Sequence, residues 1–448
     1  MKRCQTLSNG DMISELPDAL LLQILSSIPT KDAFATSVLS KRWRSLCKMM
    51  PNLEFCYRGT KGIVRFSDNV CRCLLSHQAP VLQSLHLEMN FVTDFSVETG
   101  VMIGVAFGLR VRELKLEVYA GDEPYRFPTS LLNCATLETL KLDYCILLDV
   151  PFPVCLKSLR TLRLHQVRFQ DDESVVNLLS GCSSLENLEV MRHYSLSDVK
   201  TFTIDVPSLQ RLTLDSQDEC DNRFTEYVIN TPRLKHLEIN GVMDDHSACL
   251  IENMPDLVEA YINVCGVIYE NVHGSLTSVK RLSLKIASPL DLTKFPNNRI
   301  FKQLVYLELH TYKPEWWYLL MFMLDSSPNL QVLELFSYWV RDGLDRDRVA
   351  YKRWTPPNYA PECLLNCLET LFWENYQGEM EGAKEVAQYI LRNASRLKTA
   401  TFSRTDVLTV KNLEMFKELA SVVRASNSCQ LVLKETDVTW ESYKLTTL

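Results

Sequence analysis

A six-residue hydrophobic pattern, L-x-x-L-x-L, recurs along the chain at nearly regular intervals. Up to Leu330, successive copies start 22 to 29 residues apart. Eleven copies begin at Leu82, Val111, Leu137, Leu159, Leu185, Leu209, Leu234, Leu257, Val279, Leu304 and Leu330, and weaker ones at Leu368 and Leu397. Because the last two apolar residues of each copy are two positions apart, a short β-strand directs both into one core. The pattern therefore predicts a series of short strands.

The residues between two copies must return the chain to the start of the next strand. Segments such as Ser174–Ser180 and Trp317–Leu324 have the composition of helices and suit that return. One strand–helix unit cannot bury its own apolar face, whereas stacked units share a core and a parallel sheet. Residues 80–336 resemble leucine-rich repeats, and LETLKLDYC has Cys145 where such repeats often carry Asn or Cys. The resemblance implies an α/β solenoid of horseshoe form.

Residues 11–50 lack the repeat and predict three short helices instead. The first follows Pro17 and has apolar residues at helical spacing, namely Leu20, Ile24, Leu25 and Ile28. Pro29 is predicted to end it, Thr30 to cap a second helix over residues 31–37, and Ser40 to cap a third. Three helices in so short a segment bury too little surface to be stable alone. We therefore expect a partner that completes their core.

The order of residues in this segment resembles the F-box family, through LPDALLLQIL, IPTKD and VLSKRWRSL. The resemblance implies docking on a Skp-type adaptor, which joins the chain to the cullin and RING subunits of a ubiquitin ligase. By the same resemblance the adaptor-facing residues are Leu16, Pro17, Ile28, Pro29 and Trp43. Ile24, Leu25, Val38 and Leu46 are expected to fill the core between the helices and the adaptor. The basic residues Lys41, Arg42, Arg44 and Lys48 suit a solvated helix face or an acidic adaptor, and less well a nuclear-import or nucleic-acid contact.

The repeat rhythm breaks after Leu335. Residues 337–354 are charged and predict a loop. The sequence then runs from WTPPNYAPECL through a helical segment at Glu381–Asn393 to RASNSCQLVL, and resembles the FBD module of plant F-box proteins over residues 355–434. LETLFW, LKTATF and CQLVL predict strands that continue or cap the solenoid. Residues 51–79 are assigned as a linker or N-terminal cap, and residues 435–448 as a tail.

Composition and charge narrow the classes of partner. With 48 basic and 55 acidic residues the net charge is −7, which argues against general nucleic-acid binding. The longest apolar stretches have nine residues, against about 20 for a membrane span. There is no CxxC pair among the 15 cysteines, so we expect buried thiols in a reducing compartment and no metal site. We expect an intracellular protein without a secretory signal, in the nucleus or the cytoplasm.

The sequence predicts no catalysis and no cofactor, because G-x-S-x-G, H-E-x-x-H, Walker A and G-x-G-x-x-G motifs are missing. A target protein is expected on the residues between the paired leucines, which point away from the core. They are His86, Lys115, Lys141, Arg163, Glu189, Thr213, Glu238, Tyr261, Ser283, Glu308 and Glu334. The basic side chains come first along the chain, and we call His86, Lys115, Lys141 and Arg163 the basic column; the acidic side chains follow. This order suggests a dipolar groove. Glu88, Glu117 and Asp143 should offset the charge of the basic column.

The leading interpretation is a non-catalytic substrate-recognition subunit of an SCF-type (Skp–cullin–F-box) ubiquitin ligase. One alternative is a ligand sensor, since F-box solenoids of this design resemble hormone receptors; it would need a pocket of converging arginines and lysines. A second alternative is a scaffold without a ligase role.

Overall fold

The computed structural model describes residues 13, 15–59, 62–90, 96–119, 124–192, 199–216, 226–241, 248–264, 276–286, 301–311, 316–337, 354–376, 382–404 and 417–435. The chain divides into two compact units. Unit 1 comprises Met1–Arg192 with Leu196–Val199, and unit 2 comprises Lys200–Leu448 with His193–Ser195. The predicted charged loop, apart from Ser337 and Trp354, and the predicted tail, apart from Glu435, lie outside the described residues.

Unit 1 begins with the predicted short helices. They are α1 (Asp18–Ser26), α2 (Thr30–Ala35), a 3₁₀ turn (Thr36–Val38) and α3 (Lys41–Lys48). Ser40 caps α3 as predicted, because its hydroxyl accepts the Trp43 N–H at 3.3 Å. The predicted cap at Thr30 is wrong: Pro29 is the N-cap of α2, and the Thr30 hydroxyl instead accepts the Glu54 N–H at 2.8 Å. Thr30 thus joins the helices to the first strand.

The rest of unit 1 alternates strands with helices and turns. In chain order these elements are β1 (Asn52–Tyr57), α4 (Ile63–Leu75), β2 (Ser84–Asn90), α5 (Ser96–Gly108), β3 (Glu113–Tyr119), β4 (Tyr125–Arg126), a 3₁₀ turn (Thr129–Leu131), β5 (Thr139–Tyr144), β6 (Ile146–Leu148), β7 (Thr161–His165), β8 (Arg168–Phe169), α6 (Asp172–Ser180) and β9 (Asn187–Arg192). The strands β1, β2, β3, β5, β7 and β9 pair in that order, all parallel. A second small parallel sheet contains β4, β6 and β8.

Unit 2 repeats this design. Its elements are β10 (Thr201–Asp205), β11 (Arg211–Ser216), β12 (Glu226–Asn230), β13 (His236–Gly241), β14 (Ala248–Asn253), β15 (Glu259–Val264), a 3₁₀ turn (Leu276–Ser278), β16 (Arg281–Ile286), β17 (Tyr306–Thr311), α7 (Trp317–Ser326), β18 (Val332–Ser337), α8 (Glu362–Asn366), β19 (Thr370–Glu374), α9 (Ala383–Asn393), β20 (Thr399–Arg404) and β21 (Gln430–Glu435). Its main sheet is parallel in the order β11, β13, and then β15 to β21 consecutively. Strands β10, β12 and β14 form a small second sheet.

The repeated leucines form the core of both units, as the pattern predicts. The first residue of all thirteen copies, from Leu82 to Leu397, is at most 1% exposed. The fourth and sixth residues of each copy are buried as well. The return segments differ from the prediction in part. Helices α6 and α7 form as predicted, whereas three other return segments contain the strands β10, β12 and β14 instead of helices.

The C-terminal strands continue the main sheet of unit 2. β19 pairs with β18, β20 with β19 and β21 with β20, all parallel. The buried side chains of this region include an aromatic cluster in which Trp373 contacts Trp316, Tyr376 and Phe402, with ring centroids 4.9–6.2 Å apart. This cluster ties the segment after residue 354 to the repeat that precedes it.

Candidate functional site

The three N-terminal helices enclose a small core of their own. Leu21 and Leu25 of α1, Ala33 of α2, and Trp43 and Leu46 of α3 are buried. The Cys47 thiol donates to the Ala33 carbonyl at 3.2 Å, which holds α3 against α2. Because these side chains are buried between the helices, they form the core of the segment.

The helical segment also leaves six apolar side chains exposed to solvent. We call these residues the apolar helix surface, namely Ile13, Leu20, Ile24, Ile28, Val38 and Leu39. Val38 and Leu39 are 81% and 66% exposed. Leu20, Ile24 and Ile28 are spaced by four residues, which places them along one side of α1 and its end. Clustered apolar exposure of this kind is typical of a protein-binding surface.

The nine residues predicted to serve adaptor binding fall into two groups. Ile24, Ile28 and Val38 are exposed together with Pro17 and Pro29, and Leu16 is partly exposed. Leu25, Trp43 and Leu46 are buried inside the chain itself. Sequence reasoning missed Ile13, Leu20 and Leu39 as surface residues. The spacing of four from Leu20 to Ile28 was the signal that could have identified Leu20.

The basic cluster on α3 is partly used within the chain. The Arg42 guanidinium donates to Asp18 Oδ1 at 2.6 Å and to the Leu16 carbonyl at 2.6 Å. Lys41 and Arg44 are exposed. Arg42 therefore holds α3 to the start of α1.

The strand face of unit 1 brings the predicted basic column together with carboxylates. His86, Lys115, Lys141 and Arg163 occupy adjacent strands in register. Lys115 pairs with Glu117, and Lys141 Nζ lies 2.8 Å from Glu113 Oε1. Burial acts to raise the pKa of Glu117, but Lys115, Tyr119 and His86 outweigh it and lower that pKa. The basic column is thus neutralised by neighbours on the same face.

At the end of this column His165 lies between two carboxylates. Its Nε2 is 2.6 Å from Glu189 Oε1, and its Nδ1 is 3.5 Å from Asp143 Oδ1. Arg163 Nε is 3.7 Å from both carboxylates. Burial raises the pKa of Asp143 against the lowering effect of His165 and Arg163. The cluster joins β5, β7 and β9 through side chains.

The strand face of unit 2 combines carboxylates with aromatic side chains. Glu238, Tyr261, Glu308 and Glu334 lie on it, as predicted from their positions between core residues. A shallow depression of about 240 Å³ spans β11 to β17. Its charged lining residues are Arg211, Glu238, Glu259, Arg281 and Glu308.

Three family models match parts of the chain. "F-box domain" matches residues 13–55, "FBD-associated F-box protein At5g56370, LRR repeats" matches 108–258, and "FBD" matches 356–402. The F-box/FBD/LRR-repeat protein At3g26920 of Arabidopsis thaliana is 56% identical over 438 residues, which cover 96% of this chain and 99% of the relative. The Arabidopsis F-box/FBD/LRR-repeat protein At2g04230 is 50% identical over 445 residues, covering 96% and 98%. The chain belongs to the F-box/FBD/LRR-repeat proteins.

The three matches correspond to the surfaces described above. The apolar helix surface lies in the F-box, and much of the unit 1 strand face lies in the leucine-rich repeats. The FBD contains β19, α9 and most of β20, so its strands belong to the same sheet as the unit 2 repeats.

Two further findings concern metals and membranes. Among the described residues, no group of three or more His, Cys, Asp or Glu side chains is arranged to hold a metal ion. Within the same part of the chain, every helix is too short or too polar to cross a membrane.

Proposed function

We propose that this protein is a non-catalytic substrate-recognition subunit of an SCF-type ubiquitin ligase. Its F-box binds a Skp-type adaptor, which links it to a cullin and a RING subunit, and its repeats bind a target protein. The observation that carries the proposal is the apolar helix surface, which is exposed on the segment that matches the F-box. In this proposal residues 11–50 bind the adaptor, residues 80–336 recognise the target, and residues 355–434 extend the recognition surface.

The physical case for an adaptor rests on the exposed side chains. Burying one Val, Leu or Ile side chain contributes about 1.5–3 kcal/mol. Six such side chains are exposed in this short segment, and an apolar partner surface would remove them from water. Association itself costs about 4–15 kcal/mol, so the apolar contacts are large enough to support a complex. Leu25, Trp43 and Leu46 then act indirectly, since they hold the helices that present this surface.

The chemistry of such a complex belongs to other subunits. The repeats hold a target close to a charged ubiquitin-conjugating enzyme, and proximity raises the rate of transfer. This assigns the protein to the interior of the cell, where that machinery operates. The ligand-sensor alternative is weaker, because the depression of unit 2 is lined by three glutamates and two arginines instead of converging cations.

The proposal is tested by assembly. The full chain is mixed with a tagged cullin–RING pair, with and without a plant Skp-type adaptor, and the tagged subunit is recovered. We expect the chain to be recovered with the cullin when the adaptor is present and to be lost without it. Failure to assemble in the presence of adaptor, with the chain shown to be folded by circular dichroism, would contradict the ligase role.

A further inference from the structure

In unit 1 the basic residues that directly precede the strands are paired with glutamates. The residue concerned is the second of each L-x-x-L-x-L copy. Arg112, before β3, has its Nη1 3.4 Å from Oε1 of Glu138, before β5. Arg160, before β7, pairs in the same way with Glu186, before β9. The positive charges at this position of unit 1 are therefore balanced by the neighbouring copy.

The same position in unit 2 has lysines without such glutamates between β11 and β17. Lys235 and Lys280 directly precede β13 and β16, and both are exposed. The residues at this position before β11, β15 and β17 are Gln210, Val258 and Val305. Lys235 Nζ lies 3.5 Å from the neutral Gln210 Oε1, and neither lysine forms an ion pair within the described part of the chain. Their charges are left for solvent or a partner.

Two arginines at the strand starts add to these lysines. Arg211 begins β11, is exposed and forms no ion pair with any described residue. Arg281 begins β16, and its guanidinium lies over the Tyr306 ring, 3.8 Å from the centroid. The Arg281 side chain is still 52% exposed. Both arginines also line the shallow depression described above.

We call Arg211, Lys235, Lys280 and Arg281 the basic rim. Among the residues that directly precede or begin β11, β13, β15, β16 and β17, Glu259 is the only acidic one. Its two carboxylate oxygens lie 3.0 Å from His236 Nδ1 and 3.6 Å from Arg281 Nε. One carboxylate does not balance four cations, so the basic rim is a positive surface on a chain whose net charge is −7.

The spacing of the cations favours a ligand that carries several separate carboxylates. Only β15 separates β13 from β16 in the sheet, so the Cα atoms of Lys235 and Lys280 are about 10 Å apart. Cations spread along a row do not converge on one phosphate group, whereas a peptide can place one carboxylate against each of them. Val258 lies between the two lysines and is partly exposed, so it offers a contact to the aliphatic stem of an acidic side chain.

We propose that the basic rim binds an acidic segment of the target protein through the carboxylates of its Asp and Glu residues. The inference rests on the proposed function of the repeats as the target-binding part. Complementary charge of this kind speeds association and fixes the register of the bound segment. A nucleic acid suits the surface less well, because Glu238, Glu259 and Glu308 line the adjoining depression and repel a continuous phosphate backbone.

The test measures binding of a short fluorescent oligoglutamate peptide to the full-length protein by anisotropy. At about 0.1 M salt the screening length is about 10 Å, so distant charges contribute little. The test variant is Lys235→Gln/Lys280→Gln. The matched control is Arg112→Gln/Arg160→Gln, which removes the same charge at the same position of the copies, but from arginines that pair with glutamates.

Two further samples sharpen the test. Lys280→Gln alone is a milder variant of an exposed residue, and thermal unfolding confirms that every variant is folded. A fluorescent oligothymidine of similar length is the nucleic-acid probe.

We expect oligoglutamate binding to the wild type, about fivefold weaker binding to the test variant, a smaller loss in Lys280→Gln, and less than about twofold change in the control. Equal loss in both double variants would show attraction by net charge alone and would overturn the proposal. Absence of binding to the wild type would overturn it as well, and so would tighter binding of oligothymidine than of oligoglutamate.

Adaptor binding is measured on the same samples. Because it involves the F-box, failure of the wild type to bind the adaptor would refute the ligase role. Failure to bind the peptide while adaptor binding is intact would refute the role of the basic rim alone.

Discussion

Arg42 of α3 donates both its Nε–H and an Nη2–H to the same atom of α1, Asp18 Oδ1, at 2.8 Å and 2.6 Å. A third hydrogen bond joins Arg42 Nη2 to the Leu16 carbonyl at 2.6 Å. Leu16 and Asp18 flank Pro17, the N-cap of α1. This one side chain therefore fixes the start of α1 relative to α3, and with it the position of Leu20 and Ile24 on the apolar helix surface.

Replacing Arg42 should loosen α1. In Arg42→Gln we expect the α1 amides to exchange about two- to fivefold faster with deuterium, because an ion pair at this degree of exposure contributes about 0.2–1 kcal/mol. Arg44→Gln is the control, since Arg44 is an exposed neighbour on the same helix. Equal exchange rates in the two variants would mean that Arg42 does not hold α1.

Gly382 is required where α9 begins. Its φ of +77° is unfavourable for other residues, and an added Cβ would lie 3.0 Å from Trp317 Cε3. Gly382→Ala should therefore lower stability by about 1–2 kcal/mol. Gly108→Ala, at the end of α5 with open space around its Cα, should be neutral or slightly stabilising. Thermal melts of the two variants provide the comparison, and equal melting temperatures would contradict the prediction.

The pattern of leucines predicted the main strands because burial and strand period are both visible in the sequence. Leu209, Leu212 and Leu214, for example, are buried at the three expected positions of their copy. The small sheets were missed, although T-F-T-I-D before a V-P-S-L turn alternates as a strand should. Helices were predicted for the return segments because repeats of this kind usually have them. In the segments that form β10, β12 and β14, β-branched and aromatic residues favour strands instead.

Contacts between side chains of different repeats could not be predicted. Lys141 meets Glu113 only because β3 and β5 pair in register, and the two residues are 28 positions apart in sequence. Burial within the F-box helices could not be predicted either. Ile24 and Leu25 are adjacent in sequence and similar in character, yet Leu25 is buried and Ile24 is exposed. In such short helices the packing of α3 decides which of the two is buried.

Two glutamates of unit 2 should show opposite effects of pH. Burial raises the pKa of Glu374, reinforced by Glu334, so its charged form destabilises the folded state. Burial also acts to raise the pKa of Glu308, but His310, Ser283 and Tyr306 outweigh it and lower that pKa, so its charged form stabilises the fold. At neutral pH, Glu374→Gln should raise the melting temperature and Glu308→Gln should lower it.

Melting temperatures measured at acid pH distinguish the two variants further. The gain from Glu374→Gln should fade as the pH falls through the raised pKa, and vanish below the ordinary glutamate value. The loss from Glu308→Gln should persist until the pH falls through the lowered pKa. Melting temperatures measured across this range test both. If the two variants shift in the same direction at neutral pH, the assigned environments are wrong.

The apolar helix surface is tested most directly by a matched pair of valines. Val38 in the F-box is 81% exposed and Val423, in unit 2, is 84% exposed. The affinity of the full chain for a Skp-type adaptor is measured by calorimetry for wild type, Val38→Glu and Val423→Glu. Placing a carboxylate in an apolar interface leaves its charge without solvent, so Val38→Glu should weaken binding at least about tenfold while Val423→Glu binds as the wild type does. Wild-type affinity in Val38→Glu would contradict the central claim that this surface receives the adaptor.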